Sequence, residues 1–317
     1  RSAGYRFGQL RADAWCAAFV WPKDKATPYA LTEESFRRLE RNPYDVPKWM
    51  EETIARLRER YAFFHWHLAY PGVFTPRPRE ALEDDKEDMT GWDGGFDVVL
   101  GNPPWERIKL QEKEFFAQHS PEIAGARTAA ERKRLIKALP KTDPALYRAY
   151  RDALRESEGL SHFLRNSGHY PVSAAGDINT YQVFAGLARQ LRAGRGRVGV
   201  VLPTGIATDF FNKDYFGALV EGRELASLYD FENAAPLFPG VHRSYKFCLL
   251  TLTGPEAPAD AADFAFFLHQ VEELRDPARR FSLTPADFRR INPNTRTCPV
   301  FRSRQDAELT RQIYARV

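Results

Sequence analysis

Apolar and polar residues follow two rhythms along this chain, and the rhythm changes from stretch to stretch. Over residues 1–64 it is mostly helical: Trp49, Ile54, Leu57, Tyr61 and Phe64 mark one face of a helix that Pro47 can start. The aromatic run over 63–70 predicts a strand ending at Pro71, with His65 and His67 on one side of it. Residues 75–94 read as a loop holding Pro76, Pro78 and the acidic run Glu83-Asp84-Asp85-Lys86-Glu87-Asp88, a solvated stretch. Phe96 to Leu100 is a short apolar run that predicts a buried strand, stopped at Gly101. Residues 106–165 are polar, rich in Arg and Lys, and mostly helical in pattern.

The second half alternates helix and strand. Asp177 is a plausible N-cap for a helix whose face carries Tyr181, Phe184, Leu187, Ala188 and Leu191, with Gly194 and Gly196 as its stop. Arg197 to Leu202 predicts the next strand, closed by Pro203-Thr204-Gly205. Residues 225–231 and 245–252 predict two more, joined by a loop containing Phe238-Pro239-Gly240, and 265–269 a further one. Helix, glycine turn and buried strand in succession are the pattern of an α/β doubly wound sheet. The stretch Gly194-Arg195-Gly196-Arg197-Val198-Gly199 matches G-x-G-x-x-G, but a dinucleotide loop needs a strand before it and a helix after it. Here that order is reversed, so the match is rejected. Residues 271–317 are basic and irregular, with Pro277, Pro285, Pro293 and Pro299.

The most informative segment follows the strand at 96–100. Asn102-Pro103-Pro104-Trp105 comes directly after Gly101, and two consecutive prolines hold the chain extended. A polar amide and a large ring are thereby fixed at the carboxyl end of a strand, where open α/β sheets place ligand sites. A proline-braced turn with an aromatic core plug is the plainer reading of the same residues. The tetrapeptide closely resembles the catalytic motif of the amino-methyltransferases, which methylate an exocyclic or side-chain nitrogen with S-adenosylmethionine. The resemblance implies that the Asn102 side-chain oxygen and the Pro103 carbonyl hold the two N–H groups of the target amine. That is catalysis by positioning and electrostatics. Pro104 braces the pair, and Trp105 offers a flat face to a flipped-out base.

Composition adds bounds. The 317 residues, 43% hydrophobic and 28% charged, suit one large or two smaller globular domains. A net charge of +4 fits a nucleic-acid partner without demanding one. Cys16, Cys248 and Cys298 form no metal or disulfide pattern, which points to a reducing, cytoplasmic setting. Two histidines without a third ligand read as structural. No stretch is long and apolar enough to span a membrane.

Over most of its length the chain is similar to the large adenine-specific DNA methylases of restriction–modification and phage-defence systems, including type IIG, BREX and DISARM-like enzymes. The resemblance runs through 65–74, 176–181, 199–209, His242-Arg243-Ser244-Tyr245-Lys246-Phe247, and 294–310. It implies a class I, Rossmann-like S-adenosylmethionine-dependent methyltransferase sheet, incomplete at the N-terminus and carrying a helical insertion. The expected organisation is a helical segment over 1–64, core strands with the motif over 65–105, a basic helical insertion over 106–175, the remaining core over 176–270, and a connector over 271–317 toward a target-recognition domain. The expected partners are double-stranded DNA and other subunits of a defence complex, with no membrane.

By the same resemblance, Asn102, Pro103, Pro104 and Trp105 are the catalytic segment. Asp97 and Asn102 are candidates on the cofactor side, although Asp97 reads first as a strand-end hydrogen-bonding residue. Tyr245 and Phe247 are candidate second stacking faces, or core rings, and alternation sets them on one side of their strand. Arg132, Lys133, Arg134 and Lys137 are candidate DNA-backbone contacts, or the solvated face of an insertion. The Phe-x-Gly-x-Gly cofactor loop of such enzymes is found nowhere in the sequence, and its expected place is upstream of Arg1. Other substrates remain open: cytosine N4, guanine in ribosomal RNA, or glutamine in release factors. So does a methylase-like subunit that only binds or scaffolds DNA.

Overall fold

Side-chain caps set the helix starts. Ser2, Thr32, Thr128 and Asp143 each accept a hydrogen bond from a backbone N–H three residues on, answering one of the donors a first turn leaves free. The structure, a computed structural model, describes residues 2–22, 29–78 and 90–316; the acidic run at 83–88 lies outside the described residues. The chain divides into two units, Arg1–Pro71 with Arg107–Ser167, and Gly72–Glu106 with Gly168–Val317.

The first unit is helical: α1 (Ala3–Phe19), α2 (Glu33–Arg41), α3 (Lys48–Tyr61), α4 (Trp66–Ala69), α5 (Glu112–His119), α6 (Pro121–Ala124), α7 (Ala129–Thr142) and α8 (Pro144–Asn166). Ala14, Ala17, Leu39, Met50, Ile54 and Leu57 form one core from α1 to α3. Phe116, Ile123, Ile136, Leu139 and Tyr150 form another from α5 to α8.

The strand expected over 63–70 is instead the short helix α4. The His65 carbonyl accepts from the Leu68 and Ala69 amides, and Trp66 stacks on Tyr70 one turn on. A short aromatic run carries no decisive period of its own, so a local contact decides. The His65 ring bonds the buried Asp13 carboxylate at 2.7 Å, which ties this turn to α1. Burial, with smaller contributions from His65 and Arg11, holds His67 below the usual histidine pKa. Among the described residues no three His, Cys, Asp or Glu side chains gather as a metal site.

The second unit holds β1 (Phe74–Pro76), β2 (Trp92–Gly94), β3 (Phe96–Gly101), α9 (Thr180–Leu191), β4 (Arg192–Pro203), α10 (Gly205–Thr208), α11 (Lys213–Glu221), β5 (Leu225–Glu232), β6 (Lys246–Thr253), β7 (Ala262–Leu268), β8 (Phe281–Leu283), α12 (Pro285–Ile291) and α13 (Arg304–Tyr314). β1 and β2 form a small antiparallel pair. The main sheet runs β3-β4-β6-β5-β7-β8. β3 lies parallel to β4, and β5 parallel to β7, while β6 is antiparallel to both β4 and β5. Val198, Val200, Leu202, Leu228, Leu250 and Leu252 bury one face against α9 and α11, among others through Ala185, Tyr215, Phe216 and Leu219. Phe231, Phe247, Ala265 and Leu268 form the core of the other face.

Four expectations change here. β3 is an edge strand rather than a buried one, so Val98 is 58% and Leu100 77% exposed while Val99 packs inward. Gly194, Gly196 and Gly199 lie inside β4, which starts at Arg192 rather than after a glycine turn. The first two permit close approach: the Gly254 amide bonds the Gly196 carbonyl at 2.9 Å, and a Cβ on Gly196 would meet the Phe96 carbonyl. Asn179, not Asp177, caps α9, in a capping box with Gln182. Finally, 271–317 is not irregular: it holds β8, α12 and α13. Phe281, Leu283, Phe288, Ile291, Cys298 and Ala307 all join the main core.

One buried ionic cluster braces α9 and β4. Glu224 is 6% exposed, and its carboxylate receives Arg189 through two hydrogen bonds and Arg192 through one, all at 2.6–2.8 Å. Burial opposes ionisation of Glu224, but the hydrogen bonds and charges of the two arginines outweigh it and hold its pKa below the ordinary 4.5. The stabilisation is therefore complete above that ordinary value and is lost as pH falls through the lower folded pKa. Glu224→Gln leaves the buried Arg192 and half-buried Arg189 guanidiniums facing a neutral amide and is expected to cost about 3 kcal/mol. Thermal unfolding at pH 7 checks the loss. A series below pH 4.5 should show a flatter acid limb in the variant than in the parent.

Candidate active site

The parallel register sets Gly101 of β3 beside Val200 of β4, so residues 102–105 leave the sheet at its carboxyl end. Neither proline can donate to a ladder, and the chain has no regular secondary structure from Asn102 through Glu106. What holds this segment is the first turn of α9. The Thr180 hydroxyl donates to the Pro104 carbonyl and accepts from the Glu106 amide at 2.9 Å, and the Thr180 amide donates to the Glu106 carbonyl at 2.8 Å.

This clamp is selective about which groups it uses. It consumes the Pro104 carbonyl. Among the described residues the Pro103 carbonyl and the Asn102 side-chain amide make no hydrogen bond, and Asn102 is exposed. Two acceptors therefore stand unengaged on a segment fixed at both ends, which is what holding an amino group requires.

The start of α9 is itself fastened from behind. Gln182 donates to Asn212 at 2.6 Å, and Asn212 donates to the Gly205 carbonyl at 2.8 Å and to the Tyr181 hydroxyl at 3.2 Å. Burial is the main cause raising the Tyr181 pKa, which keeps its hydroxyl neutral. At the carboxyl end of β4, Thr204 donates to Asp230, a carboxylate only 2% exposed that also accepts from the Phe267 amide at 3.1 Å. Burial raises the Asp230 pKa. Thr180, Gln182, Asn212, Thr204 and Asp230 escape a sequence reading because each works through one long-range hydrogen bond. Only the helix-start signal at 176–181 hints at any of them.

The remaining candidates fall in different surroundings. Trp105 is half-buried and packs against both faces' cores, with its indole N–H buried and without a partner. Phe247 is 4% exposed and stacked on Phe231 at 5.4 Å, so it is a core ring. Tyr245 lies before β6 begins, outside the alternation expected of it, and is 55% exposed. Phe210 and Phe211 are also exposed, on the turn that follows α10 beyond β4, with Lys213 over the Phe210 ring at 4.1 Å. Asp97 is exposed on β3. In the helical unit, Arg132 is committed to Glu112 at 3.4 Å, whereas Lys133, Arg134 and Lys137 of α7 are exposed.

The described residues around Asn102 do not form a cradle for S-adenosylmethionine. β3 is the sheet edge, and Leu100 and Asn102 beside the motif face solvent.

The family described as Eco57I restriction-modification methylase matches residues 14–134, a span that includes the motif. A modification subunit of a putative type I restriction enzyme from Vibrio vulnificus YJ016 is a distant structural match, at 13% identity and a TM-score of 0.32, covering 84% of this chain and 67% of that one. No curated protein matches. The mixed α/β sheet has a strand order compatible with a class I methyltransferase-like fold. No helix among the described residues is long and apolar enough to cross a membrane. The family match points to a relationship with the restriction–modification methyltransferases.

Thr180→Val removes one donor and one acceptor from the clamp and keeps the side-chain volume. It is expected to cost about 1–2 kcal/mol locally and to speed amide exchange at Glu106 roughly tenfold. Hydrogen–deuterium exchange over 102–107 reads this directly. Thr180→Ser, which keeps the hydroxyl, should retain the protection of the parent.

Proposed function

We propose that this chain carries the target-amine half of a DNA adenine-N6 methyltransferase active site of the restriction–modification kind. The reading rests on one observation: the Thr180 clamp takes the Pro104 carbonyl and leaves Asn102 and Pro103 with unengaged acceptors at the carboxyl end of β3. The amino nitrogen of adenine is a poor nucleophile because its lone pair is delocalised into the ring. Acceptors on both N–H groups favour a pyramidal nitrogen with its lone pair directed out of the ring plane. The Asn102 oxygen and the Pro103 carbonyl supply them, and Pro103, lacking an N–H, presents an acceptor alone.

Trp105, braced against both cores, offers its remaining face to a base flipped out of the duplex. Tyr245 is the exposed candidate for a second stacking contact. Lys133, Arg134 and Lys137 suit phosphate contacts that position DNA without reading its sequence. The methyl donor implied by the family is S-adenosylmethionine. The residues described at the motif do not form a site for it by themselves.

Methyl transfer by the full-length protein is the test. Unmethylated duplex DNA, ribosomal RNA and a release factor serve as substrates, with products read by mass spectrometry. The expected result is N6-methyladenine in DNA alone, reduced at least about a hundredfold by Asn102→Ala, the order of loss for removing one preorganised polar contact. Methylation of RNA or protein instead would replace the substrate. No methylation of any substrate with DNA binding intact would leave a scaffold subunit as the better reading.

A further inference from the structure

The ionic cluster at Glu224 is unbalanced. One buried carboxylate faces two guanidiniums, and Arg192, with its side chain 5% exposed, uses only Nη2 on it. Its Nε and Nη1 are buried with no hydrogen-bond partner, which leaves three N–H bonds unanswered. Unpaired buried donors on a charged group are costly, so such a site calls for an anion.

A cavity of about 400 Å³ adjoins them, lined by Arg189 and Arg192, by the rings of Trp92 and Tyr170, by Gln190, and at its rim by Glu256. The indole N–H of Trp92 is likewise buried and unpartnered. The volume lies at the lower end of the range for small-molecule sites. The cavity sits at the amino ends of β3 and β4, where Arg192 pairs with Phe96. Gly101, where the candidate active site starts, is five residues along the strand, roughly 17 Å away at 3.3 Å per residue.

We propose that this cavity is a second ligand site that binds a phosphate monoester of nucleotide size, with its phosphate on Arg192 and Arg189 and its ring against Trp92 and Tyr170. Guanidinium groups match phosphate oxygens in geometry and charge. The negative charge of a phosphate would offset the one surplus positive charge that Glu224 leaves. The aromatic walls give a flat heterocycle its place, as they do for stacked bases elsewhere. The phosphate can come from a free nucleotide or from the 5′ end of a nucleic-acid strand. The proposal does not depend on methyl transfer.

The test is a binding titration of the full chain by calorimetry and thermal shift. The probes are adenosine 5′-monophosphate, adenosine, inorganic phosphate, and one short oligonucleotide with and without a 5′-phosphate. The expected result is binding of the monophosphate but not of adenosine, weakened at least about tenfold in Arg192→Met, the size of a lost charge-assisted hydrogen bond. Glu256→Gln removes a rim carboxylate without touching the buried cluster and should tighten binding about threefold. It carries the test if Arg192→Met fails to fold. Binding of the 5′-phosphorylated oligonucleotide over its unphosphorylated form would assign the source to a strand end; binding of the free nucleotide alone would assign it to a metabolite. No binding of any phosphate-bearing probe, equal binding of adenosine, or affinities unchanged in both variants would overturn the proposal.

Discussion

The parallel pairing of β3 with β4 is the constraint on which the candidate site depends. It fixes Gly101 beside Val200 and so decides where the chain emerges. Everything after Gly101 is backbone without a ladder, since two prolines follow within three residues. Such a segment would wander were it not met by the start of α9. Thr180 gives it three hydrogen bonds, and the Gln182–Asn212–Gly205 chain holds that start to the first residue of α10, just beyond β4. Strand and helix starts thus form a closed circuit around four residues. That circuit is how a flexible tetrapeptide becomes a rigid presenter of two acceptors.

Much of this is legible in the sequence, for reasons that differ by element. The strands over 96–101, 225–232 and 246–253 carry their apolar runs openly. The motif announces itself because Pro-Pro after a strand admits few conformations. The helix over 180–191 shows in its 3.6-residue spacing. The failures are equally physical. Residues 63–70 are mostly aromatic, and neither period is visible, so the His65–Asp13 bond and the Trp66–Tyr70 stack settle the matter. Over 192–196 the glycines look like a helix stop. They serve instead to let backbones approach, a role visible only once Gly254 and Phe96 are beside them. In 271–317 scattered prolines hide a segment that folds onto the sheet, because its core residues are spaced across three short elements.

The partners of Thr180 and of Glu224 were beyond the sequence for another reason. Each contact joins positions dozens of residues apart, and neither residue type is rare. A threonine that accepts one amide and donates to one carbonyl has no local signature. A glutamate flanked by Arg223 reads as a surface charge until Arg189 and Arg192 close over it. Polar residues that act through tertiary contacts are where sequence reading ends, and here they fasten the segment that carries the chemistry.

The open side of β3 has a consequence for how this chain behaves in solution. Among the described residues, Val98 and Leu100 are presented to water on a strand whose outer N–H and C=O groups have no ladder partner in the sheet. A strand of this kind is a template: any extended peptide laid along it gains hydrogen bonds and covers two aliphatic side chains in one step. The edge therefore offers a route to association that the net charge of +4 does not set. Charge keeps molecules apart only while they are distant, and at contact the sticky border of the sheet decides whether they part again.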